Sequence, residues 1–321
     1  MEDVVVCGGG PAGLAAALWL GRYRRKTVVL DAGEQRNLTS GNVHGYLTQD
    51  GTPPSDLLTA ARGDVAKYPT VRFQAGIAIS AEVAADGFLI ETVEQAIKTR
   101  RLILAQGVED IWPEIPGFSD HYGTSIFHCS CCDGYEARDQ DVLAIGWGEH
   151  TAGFALDLLD WGARVTLVTN GQQWEGDRSC EIALQRHGVE VIEESVSDLL
   201  DEGARLTGAR LASGRVVPAT KAFFSIGHRP RNALAVALGC DVDDLGYVTV
   251  GPHGETSVDN VYACGDLTPG EQLVQAASSE GAIAGISCAI SLRGSGPAPG
   301  ALRMRRPPVP GPDPEEELAS E

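Results

Sequence analysis

Residues 4–32 read VVVCGGGPAGLAAALWLGRYRRKTVVLDA. An apolar run is followed by a glycine-rich turn, a helical pattern and a second apolar run. Within the turn, Gly8, Gly10 and Gly13 have the spacing G-x-G-x-x-G. The first glycine allows a tight turn, the second lets a pyrophosphate approach the backbone, and the third lets the helix pack on the strand. The stretch therefore predicts a strand–turn–helix–strand unit that binds a dinucleotide.

Two further features of this unit support a bound dinucleotide. Pro11 and Ala12 lie at the start of the predicted helix, where free N–H groups and the positive end of the helix dipole face a phosphate. Asp31 closes the second strand and Ala32 follows it. A carboxylate at that place accepts hydrogen bonds from a ribose hydroxyl. Because the strand, the helix and Asp31 are all in position, the glycines indicate a dinucleotide-binding site and not an ordinary turn.

The same unit occurs a second time in the chain. Residues 142–170 read VLAIGWGEHTAGFALDLLDWGARVTLVTN and align with the first copy at a constant offset of 138, without a gap. Gly146 and Gly148 are retained in the turn. The repeat predicts an α/β protein with two Rossmann-like dinucleotide-binding domains.

The second copy lacks features that a nicotinamide nucleotide requires. Thr151 replaces the third glycine, and Thr169 stands where Asp31 stands in the first copy. Residues 169–172 offer no base for a 2′-phosphate and no acid for a 2′-hydroxyl, although Arg178 follows in the next loop. The sequence leaves open whether this unit is a binding site for NADP(H) or NAD(H), or a retained fold without a ligand.

Composition limits the partners and the compartment. The 321 residues carry a net charge of -19, which disfavours nucleic acid and anionic membrane as partners because phosphate is repelled. The acidic start Met1-Glu2-Asp3 does not resemble a signal peptide, and the apolar stretch 14–20 is too short to span a bilayer. Eight scattered cysteines do not form the dense framework of a small secreted domain. We therefore expect a cytoplasmic protein.

The order of the patterns predicts a domain organisation. A first domain comprises residues 1–113 and 247–293, and a second domain is inserted between them over residues 118–244. The Pro-containing connection 112–117 is the candidate hinge. Residues 294–321 are rich in Pro and Gly and then acidic, which predicts a disordered tail. That tail has no Cys and therefore cannot serve as a redox arm.

The segment 128–135, HCSCCDGY, carries the chemistry. Cys129 and Cys132 have C-x-x-C spacing, which suits a disulfide-exchange centre or half of a metal site. The other cysteines form no second C-x-x-C, so no metal site is expected. Pairing of Cys129 with Cys131 would strain the ring, and Cys131 is interpreted as a bystander. Exchange also needs proton transfer, for which Asp133 and His128 are the candidates.

Taken together, these motifs resemble the low-molecular-weight thioredoxin reductases up to about residue 292. The resemblance implies FAD on the first unit, with Asp266 on the ribityl chain and Gln272 beside the flavin. It also implies that Cys132 faces the flavin, that Cys129 exchanges with substrate, and that the protein is a homodimer. The candidate cofactor-binding residues outside the first unit are Asn37, His44, Gly107, Gly265, Asp266, Gln272 and Leu273.

Several segments instead resemble a particular branch of that family. Those reductases carry a His-Arg-Arg run where residues 169–171 read TNG here. The segments 36–37, 44–45, 123–129 and 134–136 are similar to the dithiol oxidases of gliotoxin and holomycin biosynthesis. Such enzymes close the disulfide of a natural-product dithiol and pass electrons through flavin to oxygen. The residue after the second cysteine, in contrast, is Asp133, and an aspartate at this position is similar to the thioredoxin reductases.

Three hypotheses follow. The first is an FAD-dependent oxidase of a small-molecule dithiol that uses oxygen and gives hydrogen peroxide. The second is an NAD(P)H-dependent thioredoxin-disulfide reductase, or a ferredoxin-linked or flavin-linked variant, for which thioredoxin or a small disulfide is the partner. The third is a flavin-binding redox sensor or a degenerate scaffold, which the intact cysteine pair and the intact first unit disfavour.

Overall fold

The computed structural model describes residues 1–203 and 205–293. The predicted disordered tail, 294–321, lies outside the described residues. No helix within the described ranges is both long enough and apolar enough to cross a membrane.

The secondary structure alternates strands and helices in the manner of two dinucleotide-binding units. In chain order the strands are β1 (Glu2–Cys7), β2 (Thr27–Asp31), β3 (Val71–Ala75), β4 (Ser80–Ala84), β5 (Gly87–Glu91), β6 (Ala96–Leu104), β7 (Val108–Asp110), β8 (Ile126–Phe127), β9 (Asp141–Ile145), β10 (Arg164–Val168), β11 (Glu190–Ile192), β12 (Val196–Glu202), β13 (Arg205–Leu211), β14 (Val216–Pro218), β15 (Lys221–Phe224), β16 (His228–Pro230) and β17 (Val261–Ala263). The α-helices are α1 (Pro11–Arg22), α2 (Pro54–Ala66), α3 (Phe118–His121), α4 (Ser130–Asp133), α5 (Thr151–Asp157), α6 (Arg178–Arg186), α7 (Ala233–Leu238) and α8 (Val274–Ser291). Short 3-10 helices span Arg36–Thr39, Gly134–Ala137, Leu158–Asp160 and Gly265–Leu267.

The first sheet has the strand order β3-β2-β1-β6-β5-β4, and β17 also pairs with β6. Strands β1, β2, β3, β6 and β17 run parallel, whereas β4, β5 and the first part of β6 form an antiparallel meander. Alternate residues of β1 are buried on opposite faces: Val4 and Val6 in one core cluster, Val5 and Cys7 in the other. Burial on both faces explains why this strand is continuously apolar.

Helix α1 is held close to α8 by small residues. A Cβ on Gly281 would lie 2.0 Å from the carbonyl oxygen of Ala12, and one on Gly285 would lie 2.6 Å from that of Ala16. The two helices therefore pack backbone to backbone, which fixes the start of α1, and the glycine-rich turn before it, relative to the sheet.

The second lobe repeats this plan. Its parallel sheet has the order β11-β10-β9-β15-β8, and β9, α5 and β10 correspond to β1, α1 and β2. A three-stranded antiparallel sheet, β12-β13-β14, packs its apolar side chains into the same core. The predicted α/β fold with two dinucleotide-binding units is thus confirmed.

The chain passes between the lobes at two neighbouring strands, β7 and β16, which pair antiparallel. The predicted hinge, 112–117, follows β7 directly. After β16, Leu234, Ala235 and Leu238 of α7 are buried in the core of the first lobe. The chain therefore returns to the first lobe earlier than the predicted boundary at residue 244, because the apolar face of α7 packs there. The other predicted domain limits stay predictions.

Candidate active site

A cavity of about 610 Å³ lies at the carboxyl ends of β1 and β2 and is bordered by both lobes. Most of the residues selected from the sequence line it, while Gly13 and Asp133 lie outside its wall. The selected residues in the wall are Gly8, Gly10, Pro11, Ala12, Asp31, Ala32, Asn37, His44, Gly107, His128, Cys129, Cys132, Gly265, Asp266, Gln272 and Leu273.

The glycine-rich turn forms one end of the cavity. Gly8 has φ +117°, and a Cβ there would lie 2.1 Å from the carbonyl oxygen of Ala105. A Cβ on Gly13 would lie 1.9 Å from the carbonyl oxygen of Gly8. The third glycine therefore allows α1 to start directly under the turn, which explains why Gly13 supports the cavity without lining it.

The acidic residue at the end of β2 is fixed beside this turn. Asp31 accepts hydrogen bonds from the backbone N–H of Gly33 at 2.9 Å and from Gln35 Nε2 at 2.6 Å. Arg62 of α2 forms an ion pair with the same carboxylate. A Cβ on Gly9 would meet the Asp31 side chain at 2.2 Å, so the carboxylate lies against the turn.

Polar atoms in the wall indicate what the cavity holds. Both amide atoms of Asn37, Gln35 Oε1 and Gln106 Oε1 are buried without a hydrogen-bond partner among the described residues. Buried polar atoms normally have a hydrogen-bond partner, so we expect a polar ligand in the cavity to bind these atoms. Together with the glycine turn and Asp31, they fit a dinucleotide such as FAD.

The redox pair forms another part of the wall. Cys129 and Cys132 are joined by a disulfide and are half-buried. Cys129 precedes α4, and its Sγ accepts a hydrogen bond from the backbone N–H of Cys132 at 3.1 Å. Such a bond favours a thiolate on this sulfur when the disulfide opens. Cys131 is an exposed free thiol.

Asp133 is buried at the end of α4. Burial raises the pKa of Asp133 to about 6, the charges of His44 and Lys221 oppose this rise, and the charge of Glu136 adds to it. The carboxyl group therefore binds a proton more readily than an exposed aspartate does.

His128 is joined to Arg36 by a hydrogen-bonded chain. His128 Nδ1 lies 3.0 Å from the hydroxyl of Tyr122, and that hydroxyl donates to Asp110 Oδ2 at 2.7 Å. Arg36 Nε donates to the same oxygen at 2.9 Å. Arg36 Nη1 also donates to Gln272 Oε1 at 2.7 Å.

The sequence motifs do not identify three residues that contact the site: Asp110, Tyr122 and His228. They lie outside the recognised motifs, and no spacing within the sequence relates them. His228 contacts Gln272 Nε2 at 2.7 Å and also the hydroxyl of Tyr247.

The glycine-rich turn of the second lobe is closed by side chains of the protein itself. Thr151 Oγ1 donates to the carbonyl oxygen of Gly148 at 2.7 Å and accepts from Nε1 of the buried Trp174 at 3.1 Å. The backbone N–H of Glu175 donates to the carbonyl oxygen of Trp147 at 2.8 Å. The position of a Cβ on Gly148 lies 2.8 Å from Cε1 and 3.0 Å from Nδ1 of His150, and 3.9 Å from Oε2 of the exposed Glu175.

The fold, together with a disulfide in the wall of a dinucleotide-type cavity, defines a disulfide oxidoreductase. The chain belongs to the pyridine nucleotide-disulphide oxidoreductase family, whose model matches residues 2–281. Thioredoxin reductase tcpT of Claviceps purpurea (strain 20.1) is 32% identical over 281 residues, covering 82% of this chain and 86% of that protein. Thioredoxin reductase sirT of Leptosphaeria maculans is 30% identical over 304 residues, covering 86% and 90%.

Among solved structures, that of HlmI superposes with a TM-score of 0.85 at 35% identity, covering 91% of this chain and 92% of that chain. These matches confirm the resemblance to the thioredoxin reductases. FAD is the flavin of that family, and the protein is a thiol/disulfide oxidoreductase.

Proposed function

We propose that the protein is an FAD-dependent oxidase that converts a small-molecule dithiol, of natural-product type, into its disulfide and passes the electrons to oxygen. One observation carries this proposal: the closed glycine turn of the second lobe. The nucleotide-binding turn of this fold needs an uncovered second glycine so that a pyrophosphate can approach the backbone. Here the ring of His150 lies directly over that glycine, Gly148, and the exposed carboxylate of Glu175 lies near it. Thr151 holds the turn through its hydrogen bonds with the carbonyl oxygen of Gly148 and with Trp174.

The closed turn disfavours a nicotinamide nucleotide as the electron donor. A carboxylate near the phosphate position repels the pyrophosphate. Thr169 and Asn170 bring neither an acid for a 2′-hydroxyl nor a base for a 2′-phosphate, and Arg178 is exposed at the start of α6. Electrons then enter through the disulfide, and the reducing substrate is a thiol.

The proposed exchange uses the residues at the disulfide. One substrate thiol gives its proton to His128, and the thiolate attacks Cys129 Sγ, so that the S–S bond breaks and its electron pair leaves on Cys132. The second substrate thiol loses its proton, and its thiolate attacks the substrate sulfur of the mixed disulfide, so that the S–S bond to Cys129 breaks and its electron pair leaves on Cys129. The substrate leaves as a disulfide, having lost two electrons and two protons, and the cysteines become a dithiol. Asp133 donates and accepts protons during these steps.

FAD would be held by the turn Gly8–Gly13, by Asp31 at the ribose and by Asp266 at the ribityl chain. When bound, FAD would supply the two-electron chemistry that carries electrons from the Cys129/Cys132 dithiol to oxygen, with hydrogen peroxide as the product. The protein restores its disulfide in this step. A homodimer and a cytoplasmic location remain part of the proposal.

The second candidate is an NAD(P)H-dependent thioredoxin-disulfide reductase. It is favoured by the names of the relatives and by the retained fold of the second lobe. In that case electrons would flow from the nicotinamide nucleotide through the flavin to the disulfide, and thioredoxin or a small disulfide would be the substrate.

Anaerobic reduction of the FAD-loaded protein distinguishes the two candidates. NADPH, NADH and dithiothreitol are mixed with the protein separately, and the loss of oxidised-flavin absorbance is followed in time. For the oxidase, only dithiothreitol reduces the flavin, and air restores the absorbance with release of peroxide. A Cys132→Ser variant controls for direct reduction of flavin by the dithiol. Rapid reduction by NADPH or NADH would overturn the proposal in favour of the reductase.

A further inference from the structure

A chain of hydrogen bonds runs from Nδ1 of His128 through Tyr122 and Asp110 to Arg36. Tyr122 contacts this Nδ1, Asp110 binds Tyr122, and Arg36 binds Asp110 through two guanidinium nitrogens. The side chains of Asp110 and Arg36 are 6% and 16% exposed. These hydrogen bonds are therefore largely shielded from water. Hydrogen bonds are stronger in such surroundings than in water.

The direction of each hydrogen bond in this chain is determined by Asp110. Burial would raise the pKa of Asp110, but the hydrogen bonds and the charge of Arg36, together with the hydrogen bond from Tyr122, hold it below its usual value. An ionised carboxylate only accepts, so the Tyr122 hydroxyl donates to Asp110. The hydroxyl oxygen can then only accept from His128, which requires the proton on Nδ1.

A proton on Nδ1 leaves the lone pair of a neutral imidazole on Nε2. The ring is neutral at physiological pH because burial, together with the charges of Arg36 and His228, lowers the pKa of His128 to about 4, against the opposing charge of Asp110. Nε2 has no hydrogen-bond partner within residues 1–203 and 205–293, and His128 lines the cavity next to Cys129. The free nitrogen is therefore available to a ligand in the cavity.

We propose that Tyr122 and Asp110 are positioning residues that hold the His128 proton on Nδ1 and so keep Nε2 as the base for the substrate thiol. The inference rests on the proposed function, in which that thiol attacks the Cys129–Cys132 disulfide. The thiol proton passes to Nε2 and then to solvent, while the thiolate forms a bond to Cys129 Sγ and the electron pair of the broken S–S bond leaves on Cys132. A third group that orients the base is the same logic as in a Ser-His-Asp triad.

The hydroxyl of Tyr122 can be removed without disturbing its ring. The ring packs among three aromatic side chains at centroid distances of 4.9–6.2 Å: Trp112, Phe118 and Phe224. Tyr122→Phe keeps these contacts and deletes one hydrogen-bonding atom. Tyr135→Phe is the matched control, because Tyr135 lies just after the disulfide, is exposed, and its hydroxyl has no hydrogen bond in the described part of the chain.

The first measurement is ¹⁵N NMR of the histidine rings in the FAD-loaded protein, with His128 assigned from a His128→Gln variant. The native protein is expected to show His128 protonated at Nδ1, and Tyr122→Phe is expected to shift the proton towards Nε2. The second measurement is anaerobic flavin reduction by dithiothreitol. Its rate should fall at least about tenfold in Tyr122→Phe, which is modest for the loss of an oriented base, and stay unchanged in Tyr135→Phe.

A double variant shows whether Tyr122 acts through His128. In the His128→Gln background, Tyr122→Phe should cause no further loss. An unchanged tautomer, an unchanged rate, or the same loss in both backgrounds would overturn the inference. If dithiothreitol does not reduce the flavin of the native protein, the proposed function fails instead, and the NMR result still decides the role of Tyr122.

Discussion

Asp110 and His228 are paired residues in the two-stranded ladder of β7 and β16, where the chain passes between its lobes. Each of them binds a residue of the cavity wall: Asp110 binds Arg36, and His228 binds Gln272. Arg36 and Gln272 in turn bind each other at 2.7 Å. Through these contacts both β7 and β16 bind residues of the first lobe. The contacts therefore support the arrangement of the lobes in which the disulfide lines the cavity.

Loss of the Arg36 guanidinium should strongly destabilise the protein. Arg36→Met leaves the buried carboxylate of Asp110 without its charged partner, for which we expect a loss of about 3–5 kcal/mol in the free energy of unfolding. Arg215→Met is the control, since it breaks the exposed pair of Arg215 with Glu190 and should change stability far less. Urea unfolding measures both, and equal effects would contradict the importance of the buried pair.

The three neighbouring cysteines should differ sharply in their effect on turnover. Cys129→Ser and Cys132→Ser remove the disulfide, and dithiol oxidation should fall by about three orders of magnitude or more, the scale seen when a catalytic nucleophile is lost. Cys131→Ser should retain activity because Cys131 is outside the disulfide. Oxygen uptake with dithiothreitol measures the rates. Loss of turnover in Cys131→Ser would show that the third thiol takes part in exchange.

Gly13 should be essential for FAD binding although it does not line the cavity. In Gly13→Ala the new Cβ collides with the carbonyl oxygen of Gly8 and displaces the turn. We expect the affinity for FAD to fall at least about tenfold, which is about 1.4 kcal/mol. Gly63→Ala, in α2 with nothing within 4 Å of its Cβ, should leave FAD affinity unchanged and raise stability by about 0.5–1 kcal/mol. Titration of the flavin-free protein with FAD provides the measurement.

Asp133→Asn should stabilise the protein above pH 6. The native carboxyl binds its proton more tightly than in the unfolded chain, so stability falls as the pH rises from about 4 to about 6 and stays reduced above it. Removal of the ionisable group should raise the free energy of unfolding by up to about 3 kcal/mol at pH 8 and should not change it at pH 3. This value follows from about 1.36 kcal/mol for each unit by which the pKa of Asp133 in the folded protein exceeds that in the unfolded chain.

The same substitution should alter the pH dependence of catalysis. A change in the rate of flavin reduction near pH 6 is expected in the native protein and should be absent in Asp133→Asn, whereas the exposed Asp120→Asn should behave as native. An unchanged pH profile would exclude Asp133 as the titrating acid. Urea unfolding at the two pH values and stopped-flow absorbance provide the two measurements.

The closed turn of the second lobe should depend on the Thr151 hydroxyl. Thr151→Val keeps the shape of the side chain but leaves Nε1–H of the buried Trp174 without its acceptor. We expect a loss of about 1–3 kcal/mol in the free energy of unfolding. Thr59→Val, an exposed position of α2, should change it by less than about 0.5 kcal/mol. Tryptophan fluorescence during urea unfolding measures both variants. An unchanged free energy of unfolding in Thr151→Val would show that this hydrogen bond does not stabilise the protein.

The local patterns of the sequence were sufficient to predict the fold, and they identified the glycine turn, Asp31 and the cysteine pair of the cavity wall. The glycine spacing of residues 8–13, the terminal Asp31 and the C-x-x-C of residues 129–132 are local signals, because a turn, a strand end or a small disulfide ring depends on residues a few positions apart. The gapless repeat at residues 142–170 extended this to a second unit. The same local signals identified the loss of the third glycine at Thr151.

The side chains that support the redox pair, in contrast, are brought together by packing in three dimensions. Arg36, Asp110, Tyr122 and His128 come from four separate segments of the chain, and their contacts exist because the lobes pack against each other. Likewise, the apolar pattern of residues 233–240 predicts a helix but not the lobe that buries it. Hydrogen bonds and burial between distant segments depend on packing in three dimensions, and no spacing along the chain encodes them.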